Sequence, residues 1–393
     1  MNKFIIVLIT VFLASGSAFP LDIELTGEIK TGLFFEEREH DGTTYSHARI
    51  HNNDGDSGSS EGRLRIGFNL QMEDFGIRTR FDQHNFSRGT SVNDRNITKV
   101  VIDYAYAYGY LFDRQFKISA GLLGESPWGS GGPEIFRELE YTVNNDPITG
   151  LRFEWMPNFL PGLNLGFVFN RDDDSMPAGA KEYFGDMFME SVVGIAYEHD
   201  FFALSFAYRF DRDVDSPAAV VTGSKLVYRV EERILGKLLP GMSISANGYG
   251  EGLNAEGRKG SGRSTPGFLQ NWLYIHYDPD FCSAGINAGY RDGFILNEQK
   301  FEFNPFFYYK LFGLFSVGLM AGIEIGFNNG KSFDDIFYNF WFIEPQVNIN
   351  ISSNFYAALL YRYTEGSYET ENAKFRNKDQ TTHWFNLRLC YTF

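Results

Sequence analysis

The chain is poor in three things, and each absence excludes something. It has two cysteines, Cys282 and Cys390, among 393 residues. Two cysteines cannot make a disulfide framework, and their spacing is not that of a zinc site. It lacks basic charge: 35 Lys+Arg stand against 50 Asp+Glu, for a formal charge of −15. A general nucleic-acid binder needs a basic face for phosphates, so no nucleic-acid partner is expected. It also lacks long apolar runs. No uninterrupted stretch approaches the roughly 20 residues that a membrane-spanning helix needs.

Glycine and aromatics are abundant: 41 Gly, 40 Phe and 22 Tyr, with aromatics at 17% of the chain. The mean hydropathy is nevertheless negative. So many aromatics and glycines in a polar, acidic chain suggest β-structure with one greasy face and one wet face.

The first residues read as an export signal. Lys3 supplies a positive start, Phe4 to Leu13 are apolar, and Ala14-Ser15-Gly16-Ser17-Ala18 are small. That pattern predicts a signal peptide over 1–18, cleaved before Phe19. Residues 19–393 are then expected to form a single barrel domain.

The body alternates with period two. Ile23, Leu25, Ile29, Leu33 and Phe35 share one parity, and Asp22, Glu24, Glu28 and Lys30 the other. The pattern returns at Leu64, Ile66, Phe68, Leu70 and Met72, then at Phe202, Leu204, Phe206, Tyr208 and Phe210. Strict alternation means a strand with one apolar face. Eighteen such segments can be read between 21–36 and 382–393; 147–156 and 224–234 alternate least cleanly. Tight turns such as Phe112-Asp113-Arg114 and Asp278-Pro279-Asp280 separate some of them. Long polar loops (37–61, 124–146, 171–188, 251–267 and 365–381) separate others. Short turns at one end and long loops at the other characterise an all-β, antiparallel transmembrane barrel. A hairpin with its turn and loop takes about 41 residues, which predicts about 18 strands, with 16 as the alternative count. A soluble sandwich would have to hide the apolar face.

A sheet in hydrocarbon satisfies its backbone only by closing, and aromatics then gather near the headgroups. Tyr208, Phe210, Phe355, Tyr361, Tyr363, Tyr391 and Phe393 lie near segment ends on the apolar parity. Tyr104, Tyr106, Tyr108 and Tyr110 read as a longer stripe of the same kind.

The terminal Leu387-x-Leu389-x-Tyr391-x-Phe393 resembles the last strand of bacterial outer-membrane barrels. The resemblance to the porin-like group covers the whole chain after the leader, as pattern rather than motif. It implies that Leu389, Tyr391 and Phe393 belong to a signal read by the barrel-assembly machinery. It also implies an outer-membrane lipid surrounding and a homotrimer.

Inside a barrel of this size lies an aqueous channel. The inward parity places Arg63, Arg65, Arg78, Arg80 and Arg388 on its wall. In general porins the third loop folds inward and narrows the pore, its acids facing basic residues on the wall. Gly132-Pro133-Glu134-Ile135-Phe136 looks like that arrangement, which would make Glu125, Glu134, Glu138 and Glu140 the constriction loop. Alternatively, Arg63 to Arg80 pair with Glu24 and Glu28 and simply solvate the interior. Trp272 and Tyr274, beside His276, could stack on solutes as in sugar-specific porins, or fill space beneath a loop.

Other motifs fail. Asn52, Asp54, Asp56 and Glu61 evoke a calcium loop, but Ser57 stands where Gly is needed and Glu61 falls two residues early. His383 and plentiful serines do not make a triad. Cys282 should face lipid and Cys390 the lumen, which argues against a disulfide between them. The expectation is a non-enzymatic porin, without metal or cofactor, passing small hydrophilic solutes passively. A channel selective for sugars, carboxylates or apolar ligands, and a surface adhesin or receptor barrel, are the alternatives.

Overall fold

The computed structural model describes residues 22–40, 42–50, 63–85, 98–123, 128, 148–170, 191–210, 224–251, 268–293, 298–328, 336–370 and 378–393. The expected leader, the calcium-like stretch and the third-loop acids Glu125, Glu134, Glu138 and Glu140 lie outside the described residues.

The strands are β1 (Asp22–His40), β2 (Thr43–Ile50), β3 (Arg63–Gln71), β4 (Phe75–Asn85), β5 (Thr98–Leu111), β6 (Phe116–Leu123) and β7 (Ile148–Trp155). Next come β8 (Leu163–Asn170), β9 (Val192–Glu198), β10 (Phe202–Arg209), β11 (Lys225–Glu232), β12 (Met242–Glu251) and β13 (Phe268–Tyr277). The last six are β14 (Cys282–Gly293), β15 (Glu298–Leu311), β16 (Phe315–Asn328), β17 (Ile336–Ser352), β18 (Phe355–Thr370) and β19 (Lys378–Thr392). A short helix, Ile234–Leu238, sits in the turn between β11 and β12.

From β3 onward each strand pairs antiparallel with the next. β1 pairs with β19 on one side. On its other side its upper half meets β2 and its lower half meets β3. β2 and β3 are therefore one stave, interrupted by residues 51–62, and nineteen segments build a closed barrel of eighteen staves. The seam is completed by the C-terminus. Phe393 N–H donates to the Gly27 carbonyl at 3.0 Å, and Gly27 N–H donates back at 2.8 Å.

The alternation sorts the faces as expected. Ile29, Leu33, Phe35, Phe153, Phe206, Leu273, Phe307, Leu319, Ile343, Leu359 and Phe385 are exposed on the outside. Inward positions carry Glu28, Arg152, Asn247, Asn287, Glu344 and Asn386. Cys282 pairs in register with outward-facing Tyr309, and Cys390 with inward-facing Lys30. Both are free thiols.

Rings and glycines fit together across strands. Tyr108 lies over Gly76, Tyr228 over Gly248, Trp272 over Gly289, Tyr308 over Gly318 and Phe393 over Gly27. A Cβ at any of these glycines would come within 2.3 Å of a ring atom. Cross-strand aromatic contacts of this kind support a sheet at residues that alone would weaken it. The abundance of both residue types thus has one structural cause.

Two expected loops are partly strand. β1 runs to His40 and returns as β2, and β18 and β19 extend to Thr370 and from Lys378. Glu36 to Glu39 pair with Trp384 back to Thr381. Backbone pairing continues there beyond the level at which one face must be apolar. The short turns fall as expected, and several carry an exposed apolar side chain: Phe112, Phe159, Leu238, Phe281 and Phe312. Phe112, Asp113 and Arg114 all have positive φ, of 53°, 53° and 64°.

Candidate functional site

The site is the inner wall formed by β4 to β9. β5 corrects an expectation. Tyr104, Tyr106, Tyr108 and Tyr110 point into the barrel, with Tyr106 and Tyr108 buried. Ala105, Ala107 and Gly109 take the outer parity. The outward-facing Ile102 lies beside a register shift at Arg80/Phe81.

The four phenols form a ladder with ring centroids 5.8, 6.4 and 5.8 Å apart. Cations lie along it. The Arg80 guanidinium sits 4.7 Å from the Tyr104 ring, and Arg152 5.5 Å from Tyr106. Lys117 Nζ lies 5.2 Å from Tyr108 and 5.7 Å from Tyr110. Arg78 stands opposite Tyr106 in register, and among the described residues no ion pair joins it to a carboxylate. Each ring face turned to a cation adds attraction of about 0.5–2 kcal/mol.

One carboxylate is set among these bases. Glu154 is 3% exposed and lies 2.9 Å from Arg152 Nε and 3.6 Å from Lys117 Nζ. It also accepts the Asn164 amide at 3.1 Å. Among the described side chains, Arg78, Arg80, Lys117 and Arg152 share this wall with Glu154.

The other expected bases divide. Glu28 pairs with Lys30 at 3.2 Å and stands opposite Arg65 in register. Glu24 accepts from Asn69 at 3.2 Å. On β1 to β3 these acids thus engage Lys30 and Asn69, while the Arg80 guanidinium lies over the Tyr104 ring and Arg78 stands opposite Tyr106. Arg63 stands on β3 opposite Lys30. Arg388 faces the same lumen from β19, opposite Gly32. Across the barrel, Arg362 pairs with buried Glu344 at 2.7 Å.

Trp272 and Tyr274 are brought to the inner face but are 4% and 2% exposed. One side of Trp272 rests on Gly289. His276, beside them, bonds Asn287 at 2.7 Å. Both rings are packed into the wall as one cluster.

Sequence reasoning missed the most consequential residue. Trp128, in the connection after β6, is fully buried inside the barrel. Its ring covers Gly166 on β8 and Gly194 on β9, and its N–H donates to Asn164 Oδ1 at 3.0 Å. The signal was present in the inward positions of β8 to β11. Gly166, Val168, Val192, Gly194, Ala207 and Val227 are apolar where a wetted wall should be polar.

No family model matches the sequence, and no curated protein matches it. Solved structures match in shape. The anion-selective porin from Comamonas acidovorans aligns with a TM-score of 0.50 at 10% identity, over 95% of this chain and 100% of that one. OpdL of Pseudomonas aeruginosa aligns at 0.49 and 13%, covering 95% and 99%. The outer membrane channel DcaP of Acinetobacter baumannii aligns at 0.46 and 12%, covering 96% and 99%. At 10% identity the likeness to the first of these establishes the fold alone, a closed antiparallel β-barrel.

Proposed function

We propose that the chain is an outer-membrane porin, a non-enzymatic channel through which small hydrophilic solutes diffuse passively. The observation that carries this reading is the closed eighteen-stave wall, apolar outside and ionic inside. A barrel of this strand number encloses an aqueous lumen. Size exclusion and lumenal charge then select solutes. The bases Arg78, Arg80, Lys117 and Arg152 gathered on one described side of the wall support a preference for anions. Glu125, Glu134, Glu138 and Glu140 belong to this reading as the acidic side of a constriction, facing Arg63, Arg65, Arg78, Arg80 and Arg388. So do a cleaved leader over 1–18, recognition of Leu389, Tyr391 and Phe393 by the assembly machinery, and a homotrimer.

The test is the reversal potential of the refolded protein in a planar bilayer under a salt gradient. Arg78→Ala with Arg80→Ala should move it toward cation preference. An unchanged potential in an open channel would remove these residues from the selectivity-determining wall.

A further inference from the structure

The turn between β11 and β12 holds its apolar side chains away from the protein. Its short helix, Ile234–Leu238, has no buried residue. Ile234, Leu235, Leu238 and Leu239 are 49%, 40%, 75% and 48% exposed. A loose turn could fold such side chains back, but this one is pinned. The Glu232 carboxylate accepts the Ile234 and Leu235 N–H groups, the latter at 2.9 Å. Arg233 N–H donates to the Phe201 carbonyl of the β9–β10 turn at 2.9 Å. On the other side Asp278 N–H donates to the Gly241 carbonyl at 2.8 Å. Gly236 lets the helix lie against β12, since a Cβ there would come within 2.8 Å of the Met242 carbonyl oxygen. Four aliphatic side chains held rigidly in water are unfavourable, so their position implies a covering.

The surrounding surface says which. Val230, outward on β11, is 50% exposed, and Phe202, outward at the foot of β10, 37%. Both belong to the face that meets hydrocarbon. Phe201 and Phe281 stand exposed on the neighbouring turns. The apolar surface therefore continues from the lipid-facing wall onto the helix. The adjacent cations are already engaged: Arg233 lies 3.0 Å from Glu231, and Lys237 lies 3.9 Å from Asp200 and 4.9 Å from the centre of the Phe201 ring. Apolar burial, rather than attraction to anionic headgroups, recommends lipid. We propose that this turn is a foot set in the periplasmic leaflet of the outer membrane. Its four aliphatic side chains lie at the boundary of headgroups and acyl chains, as the apolar face of an interfacial helix does. The aromatic girdles of outer-membrane barrels sit on the strands; this contact lies beyond the strand ends. The membrane boundary beside β10 to β12 then runs below the strands themselves. The proposal goes beyond the porin reading and needs only a closed barrel in a bilayer.

Spin-label depth measurement tests it. Leu238→Cys and Leu239→Cys are each refolded into vesicles, checked by heat-modifiable mobility and labelled with a nitroxide. Wild type treated alike corrects for Cys282 and Cys390, which are buried. Oxygen concentrates in lipid and a nickel chelate in water, so the ratio of their collision rates reports depth. Val230→Cys is the lipid reference, and Glu73→Cys, exposed in the β3–β4 turn, the water reference. Both labels on the foot should give ratios between the two references and nearer Val230→Cys. Vesicles of phosphatidylcholine alone, or with phosphatidylglycerol, should agree. Ratios equal to that of Glu73→Cys would put the turn in water and overturn the proposal, leaving the face to a soluble partner. Contact with lipid only when phosphatidylglycerol is present would overturn its apolar basis. Protection from both reagents, with spin–spin broadening between separate copies, would assign the face to a second copy and also overturn it.

Discussion

Replacing Glu154 by Gln changes charge and almost no volume. The side chain is 3% exposed and lies 2.9 Å from Arg152 and 3.6 Å from Lys117. Its loss leaves two cations facing one another on adjacent strands. At an effective dielectric of about 20, a unit pair about 4 Å apart is worth about 4 kcal/mol. Removing one partner of a buried pair costs about 3–5 kcal/mol. Lumenal water reduces that figure, and the Tyr106 and Tyr108 rings facing Arg152 and Lys117 already support these cations by about 0.5–2 kcal/mol each. The expected net loss is about 2–4 kcal/mol. The assay is the urea midpoint of the barrel in lipid vesicles, approached from both the folded and the unfolded side. Adding Lys117→Met should recover part of the loss, because it removes one of the stranded charges. If Glu154→Gln unfolds within about 0.5 kcal/mol of wild type and Lys117→Met recovers nothing, the cluster is screened like a surface pair. The claim that it holds this wall together then fails.

Two further outcomes follow from the seam and the turns. Gly27→Val would drive a side chain into the Phe393 ring that closes the barrel. It should cost about 1–3 kcal/mol and lower the refolded fraction in a heat-modifiability gel; an unchanged fraction would mean that the ring is not part of the closing contact. Phe312, 93% exposed at a turn tip, should behave as an interfacial anchor. Phe312→Ser should destabilise the barrel in vesicles by about 1–2 kcal/mol, whereas a turn standing in bulk water would tolerate the change.

Much of the architecture was legible because a two-residue period is a strong signal wherever one face meets hydrocarbon. Leu387, Leu389, Tyr391 and Phe393 read correctly as an outward row, and even the weak segment 147–156 is β7. The signal fails where the physics changes. Above the membrane Glu36 to Glu39 still pair, but no face there need be apolar, so strand reads as loop. On β5 the tyrosines alternate with Ala105, Ala107 and Gly109. A tyrosine has both an apolar body and a polar tip, so its parity alone does not say which face is wet. The Trp128 seat was invisible for a related reason. Alternation says which residues share a face, and only the three-dimensional pairing shows that Gly166 and Gly194 lie side by side. Arg78 and Arg80 lie beside tyrosines that the alternation assigns to the opposite face.

The central claim is an open aqueous pore, and conductance of the refolded protein in a planar bilayer tests it most directly. Stable current steps that grow with salt concentration are the expected result. A barrel proven folded by its heat-modifiable mobility, yet silent at every voltage and salt concentration, would contradict the account and favour a barrel that only displays its loops.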